Sequence, residues 1–153
     1  MPEDQRVSQY WQNFLKETNR NTNEKYYECF YFCHTETLAN SLLQLVLDGK
    51  KKATSSSLLS YQARHEPLPQ VGSLSIVTDF AGNPRCVIET KSVTILPFKD
   101  MTFDLCKREG EDDTLESWQQ GHIHFFTIDA AQNNFEFTWD MPVVFEDFEV
   151  VYR

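Results

Sequence analysis

From Val7 to Thr18 the apolar residues Val7, Tyr10, Trp11, Phe14 and Leu15 recur at spacings of three and four. That is the stripe of an amphipathic helix covering about residues 6–18, which the polar run Asn19–Asn23 ends. Tyr26–Phe32 follows, and its aromatic residues favour a strand although the alternation is imperfect. Thr35 and Thr37 are candidate N-caps for a second helix running through Leu38, Ala39, Leu42, Leu43, Leu45, Val46 and Leu47. Gly49 stops this helix, because glycine readily takes the left-handed conformation that a helix C-terminus requires.

The rest of the pattern is mostly β. Gly72–Phe80 reads as one strand, Ala81–Pro84 as a turn, and Arg85–Thr90 with Ser92–Leu96 as its partner. Phe98–Arg108 has helical character and leads to an acidic turn, Glu109–Asp113. Thr114 then starts a segment as a capping residue with half of a capping box, and Leu115, Trp118, Ile123, Phe125 and Phe126 continue the core. Two late strands are expected, Asn134–Trp139 and Val143–Tyr152, the second with a tight alternation of apolar and acidic residues. Several antiparallel strands with helices at one side predict an α+β domain built on a small β-barrel.

Length and composition bound this picture. The 153 residues suit one domain, with no repeat, low-complexity tract or linker. Twelve Phe, six Tyr and three Trp predict a core filled by flat side chains. No apolar run reaches the ~20 residues that span a bilayer. Met1–Arg6 lacks the basic-then-apolar layout of a secretory leader, so a cytoplasmic protein with no membrane partner is expected. Cys29, Cys33, Cys86 and Cys106 form no C-x-x-C pair, and buried free thiols are expected rather than a metal site.

Charge narrows the partners. Fourteen Lys and Arg against 23 Asp and Glu leave a formal net charge of -9. A long duplex footprint needs a basic face to neutralise phosphates, which this chain lacks. A local basic pocket remains compatible with a nucleoside or a single-stranded RNA segment.

The unusual local feature is Gly49–Ser57, where three lysines follow the glycine and four hydroxyl residues come next. Lysine offers a charge for a phosphate or carboxylate, or a base once desolvated, and Thr or Ser offers a nucleophile. A Lys three residues before a hydroxyl meets it across a turn, whereas a straight strand points the two to opposite faces. The competing reading is a basic helix C-cap that complements the helix dipole. The spaced glycine of a phosphate loop is missing. Glu109, Glu111, Asp112 and Asp113 are the acidic counterpart, either a solvated loop or, if partly buried, a source of a raised pKa. His122 and His124 alternate beside Phe125 and Phe126, in a pattern more typical of packing than of metal binding.

Gly49-Lys50-Lys51-Lys52-Ala53-Thr54 resembles the G-x-K-x-x-T signature of the ASCH family, the activating-signal-cointegrator homology domains. The similarity continues through Gly72–Val77, Pro97-Phe98, Glu109–Asp112, Leu115-x-x-Trp118-x-x-x-His122, Phe125-Phe126 and Phe148–Tyr152, in order and over essentially the whole chain. It implies a PUA-like fold, a small β-barrel flanked by helices with a cleft beside the signature. Such domains are associated with RNA. Some hydrolyse the amide of N4-acetylcytidine with a Lys, a Thr and a Glu, and others are described as ribonucleases. Carried over, these become Lys51, Thr54 and Glu111, with Glu109 as rival for the acid and Lys50 or Lys52 as alternatives for the lysine. Ser55, Tyr61, Glu109 and His122 are the candidates for holding the ligand. The implied activity is amide hydrolysis without cofactor or metal, with a non-catalytic reader of RNA or a modified nucleotide, or a metal-independent ribonuclease, as alternatives.

Overall fold

A computed structural model describes residues 4–153 of the chain. Residues 1–3, part of the stretch read above for a leader, lie outside the described residues. The elements run α1 (Gln5–Glu17), β1 (Glu28–Phe30), α2 (Glu36–Leu47), β2 (Ala53–Ser57), α3 (Leu58–Ala63), β3 (Leu74–Thr78), β4 (Pro84–Pro97), α4 (Phe103–Cys106), α5 (Leu115–Gln132) and β5 (Pro142–Tyr152). Single 3-10 turns lie at Phe98–Asp100 and Lys107–Glu109.

The five strands form one mixed sheet in the order β1-β3-β4-β5-β2. Only β1 and β3 are parallel, and β4 pairs with β5 along nearly its whole length, Val87 facing Tyr152 at one end and Pro97 facing Pro142 at the other. Register shifts at Val87/Ile88 and Thr90/Ser92 bend that long pair. The sheet curls into a half-barrel flanked by helices, an α+β architecture of the PUA-like kind. Among the described residues, no helix is long and apolar enough to cross a membrane.

Helices on both faces explain why β3 is buried at every position. Val7, Trp11, Phe14 and Leu15 of α1 pack with Leu74, Ile76 and Val87. On the other face, Leu43 and Val46 of α2 pack with Val77, Cys86, Ile88 and Phe148. A third cluster joins Ala53, Phe98, Trp118, Phe126, Val143 and Phe145.

Several expectations change in the structure. The strand around Tyr26–Phe32 shrinks to Glu28–Phe30, and the two segments either side of Lys91 are one continuous β4. Asn134–Trp139 is not a strand. Asn134 turns the chain with φ 60°, and Phe137 packs against Phe98 (ring centroids 4.9 Å), so the alternating aromatics serve a core cluster rather than a ladder. Conversely, Ala53–Ser57 is a strand although its hydroxyl-rich sequence signals a turn, because β5 pairs with it from Ala53/Asp147 to Ser57/Val143. Cys86 and Cys106 are buried as expected, whereas Cys29 and Cys33 are only half-buried.

Candidate functional site

Four segments converge on Lys51, and each arrives there for a local reason. Helix α2 ends in paired backbone bonds, Lys50 N–H to Leu45 C=O (2.9 Å) and Gly49 N–H to Val46 C=O (3.0 Å), with Gly49 at φ 76°. This is the double-bonded glycine stop, and it releases the chain directly into Lys51. The backbone of Lys52 then donates to Arg108 C=O and accepts from Phe148 N–H, both at 2.9 Å, which ties the lysine run to the acidic turn and to β5. Gly110 has φ 72° and lies so close that a Cβ there would sit 2.2 Å from Lys50 C=O. Thr114 caps α5 by accepting from Ser117 N–H (3.1 Å), which aims Trp118 and His122 at the same point.

Lys51 is only 2 % exposed. Its Nζ donates to Glu111 Oε2 (2.6 Å), Ala53 C=O (2.9 Å) and Glu109 Oε1 (3.4 Å), so three acceptors face the three hydrogens an ammonium carries. The ring of Phe32 adds a cation–π contact at 5.2 Å. Lys51 is therefore the buried member of the lysine run, while Lys50 and Lys52 are exposed.

Glu109 and Glu111 flank Gly110 but have different surroundings. Glu109 is 1 % exposed and accepts from Trp118 Nε1 (2.6 Å), Ser55 Oγ (2.8 Å) and Lys51. His122 Nε2 lies 3.4 Å from it. Burial alone would raise the Glu109 pKa, but Lys51, His122 and Trp118 outweigh that and hold it well below the ordinary carboxylate value. The Glu111 side chain keeps 21 % of its surface, and its pKa is raised by burial and by the charge of Glu109, against the pull of Lys51. His122 Nδ1 lies 2.9 Å from Trp118 C=O, which can only accept, so Nδ1 carries the hydrogen and Nε2 donates to Glu109 only as imidazolium. Burial by itself lowers the His122 pKa; Glu109 and Glu111 turn that into a net rise.

These groups line a cavity of about 350 Å³ with Thr54, Ser55 and Asp112. Its apolar wall comes from Phe32, Leu38, Leu42, Leu45 and Phe125. Lys51, Thr54, Glu111, Ser55, Glu109 and His122 thus share one cavity, and Tyr61 does not. Tyr61 lines a second cavity of about 370 Å³, which meets the first at Thr54 and Ser55. Within the site, Ser55 and His122 contact Glu109, and Thr54 has no hydrogen bond to Lys51, whose Nζ curls back to Ala53 C=O.

Glu109, Glu111 and His122 each offer a ligand atom within 4.8 Å of one another. Lys51 already supplies the positive charge at that place, 2.6 Å from one carboxylate and 3.4 Å from the other. Trp118 was legible as a core residue and as part of the Leu115-x-x-Trp118-x-x-x-His122 motif; its indole donor to Glu109 has no local signature. The leucines of the cavity wall were legible only as the apolar face of α2, because which of them face a void depends on how the helix is docked.

Residues 28–152 match the ASCH domain family model. The crystal structure of an ASCH domain from Lactobacillus crispatus JV V101 is 35% identical and superposes with a TM-score of 0.88, covering 100% of this chain and 98% of its own. A crystal structure of an Enterococcus faecalis V583 protein is 33% identical with a TM-score of 0.89, over 97% of this chain and 89% of its own. A third solved structure, of a hypothetical protein, is 16% identical with a TM-score of 0.51 over 81% of this chain and 97% of its own, which bears on the fold alone. No curated protein matches significantly. With matching sequence across β1 to β5 and near-superposable relatives along its length, the chain belongs to the ASCH domain family.

Proposed function

We propose that the Lys51 cavity hydrolyses the amide of an N-acylated nucleoside, of which N4-acetylcytidine is the simplest example. The observation that carries this reading is one buried lysine held between two carboxylates of unequal enclosure, Glu109 sealed at 3.4 Å and Glu111 partly open at 2.6 Å, surroundings that push Glu109 down in pKa and Glu111 up. Such a split assigns roles: the low member stays ionised and the high member handles a proton.

The chemistry balances with these residues alone. A proton passed from Lys51 to Glu111 along their 2.6 Å contact leaves an amine and a neutral carboxyl. The Thr54 hydroxyl attacks the acyl carbon and its proton goes to Lys51. The C–N bond breaks as the amine leaves with the proton of Glu111. Water then hydrolyses the threonine ester, releasing the carboxylic acid and restoring Thr54. Glu109 remains ionised throughout and keeps Lys51 in place, and the leucine and phenylalanine wall accommodates the acyl group.

One observation favours a second reading, a non-catalytic reader of a modified nucleoside: Lys51 is already satisfied by three acceptors and does not hydrogen-bond Thr54. A ribonuclease fits less well, since a phosphate in this cavity would meet Glu109, Glu111 and Asp112. The test is amine release from N4-acetylcytidine by the unaltered protein and by Thr54→Ala and Glu111→Gln. Both variants leave the Lys51–Glu109 pair intact. Each is expected to lose at least about 100-fold in kcat, with unchanged far-UV circular dichroism. Saturable binding without release in the unaltered protein supports the reader, and full turnover by Thr54→Ala overturns the mechanism.

A further inference from the structure

Thr54 stands where two cavities meet. Both are lined by Phe32, Cys33, Thr54, Ser55 and Phe125, and they differ beyond that shared wall. Away from it the Lys51 cavity is bounded by Leu38, Leu42 and Leu45, whereas the second is bounded by Glu28, Ser56, Tyr61, Asp129 and Glu146. An amide placed at the shared wall therefore has an apolar space on one side and a space rich in hydrogen-bond acceptors on the other.

Two polar groups of the second cavity have no hydrogen-bond partner among the described residues. The Glu28 carboxyl is half-buried and has no hydrogen bond or ion pair among the described residues. Burial, with the charges of Glu146 and Glu66, pushes its pKa up to about 7 against the pull of Arg64. His34 Nε2 is buried without a hydrogen-bond partner, with its ring stacked on Phe125 (centroids 4.9 Å, 19°). Leaving buried polar groups unpaired is costly, so such pairs are characteristic of places where a ligand completes the bonding. The other groups are already engaged. Asp129 accepts from Ser60, Glu146 accepts from Thr90 Oγ1 (2.6 Å), and the cation Arg64 lies 3.7 Å from Glu66. What remains on offer is a carboxyl and an imidazole nitrogen, which suit hydroxyl hydrogens.

We propose that this second cavity is the sugar-binding half of the site, with the unpartnered Glu28 carboxyl and His34 Nε2 holding ribose hydroxyls while the acyl group occupies the Lys51 cavity. The assignment rests on the nucleoside reading of the Lys51 cavity but does not depend on turnover. It makes Glu28 a specificity residue for a ribonucleoside over the bare base. It also places the leaving half of the substrate on the far side of Thr54 from the leucines.

The experiment uses products, so that loss of catalysis and loss of the subsite are separable. Cytidine and cytosine are titrated into the unaltered protein, Glu28→Gln and His34→Phe by calorimetry, with amide chemical shifts recorded alongside. Cytidine is expected to bind about tenfold more tightly than cytosine, one hydrogen bond to a charged group being enough for that ratio. In both variants the ratio falls towards one, while cytosine affinity is unchanged. Cytidine shifts the amides of β1 and α3, which cytosine does not. Equal affinities in the unaltered protein overturn the assignment, as does no binding of cytidine or a ratio that survives both substitutions. Amide release from N4-acetylcytidine, measured separately, decides the catalytic reading: its absence beside an intact ratio rejects the hydrolase and keeps the subsite.

Discussion

At the scale of single residues, Glu109 and Glu111 lie within three positions of chain yet differ in enclosure, the first sealed and the second partly open. Glu109 is enclosed by Lys51, Ser55, Trp118 and His122, so removing it strands the buried Ser55 and Trp118 donors and breaks one of the two ion pairs of the buried Lys51, leaving Glu111 as the other. Breaking a buried pair in this way costs about 3–5 kcal/mol, and Glu109→Ala is expected to lower the urea-unfolding free energy by that much. The partly buried neighbour differs: Glu111→Gln should stay within about 1 kcal/mol, because Glu109 still pairs Lys51. The same enclosure bears on Lys51→Ala, which is expected to lose stability as well as activity and so is a poor probe of chemistry. The pH dependence follows from the shifts. Glu109 titrates lower when folded, so its contribution is complete above its ordinary value of 4.5 and is lost as pH falls through the depressed one. His122 titrates higher when folded, so its contribution is complete below 6.5 and fades as pH rises through the raised value. Unfolding midpoints measured across pH should fall on both sides of that window, and Glu109→Gln should remove much of the acid limb.

At the scale of elements, the site is a junction between the end of α2, the edge strand β2 and the turn before α5. Gly110 makes the junction possible, because its backbone passes against Lys50 where no side chain fits. Gly110→Ala combines left-handed strain with that collision and is expected to cost at least about 2 kcal/mol, read as a lower urea midpoint, together with loss of amine release. Helix α2 itself was legible in detail, from the cap at Thr35 to the stop at Gly49, since capping chemistry is local. Strand β2 was not, because Thr54, Ser55, Ser56 and Ser57 become extended through pairing with a segment about ninety residues away. Nor was the fate of Phe135 and Phe137, whose period-two spacing also fits a loop that lays two rings on a core cluster.

At the scale of the whole molecule, the net charge of -9 leaves little to attract a polyanion outside the cavity. Binding of a long single-stranded RNA, followed by fluorescence anisotropy near physiological salt, is expected to be weaker than the ~10⁻⁴ M typical of weak non-specific binders. Micromolar binding with a steep salt slope would contradict this. The pattern of apolar positions by itself determined α1, α2, the β3–β4 hairpin and β5, because each repeats its own period over enough residues to choose a buried face. The ordered motifs, in turn, singled out Lys51, Thr54 and an acidic partner as one candidate site. Tertiary structure alone decided that Lys51 is buried between two carboxylates, that Glu109 is enclosed while Glu111 stays reachable, and that a second polar cavity opens beyond Thr54. The physical reason is that burial and mutual distance set these properties, and both arise from contacts between segments such as Lys51 and Glu109, which lie 58 positions apart in the chain.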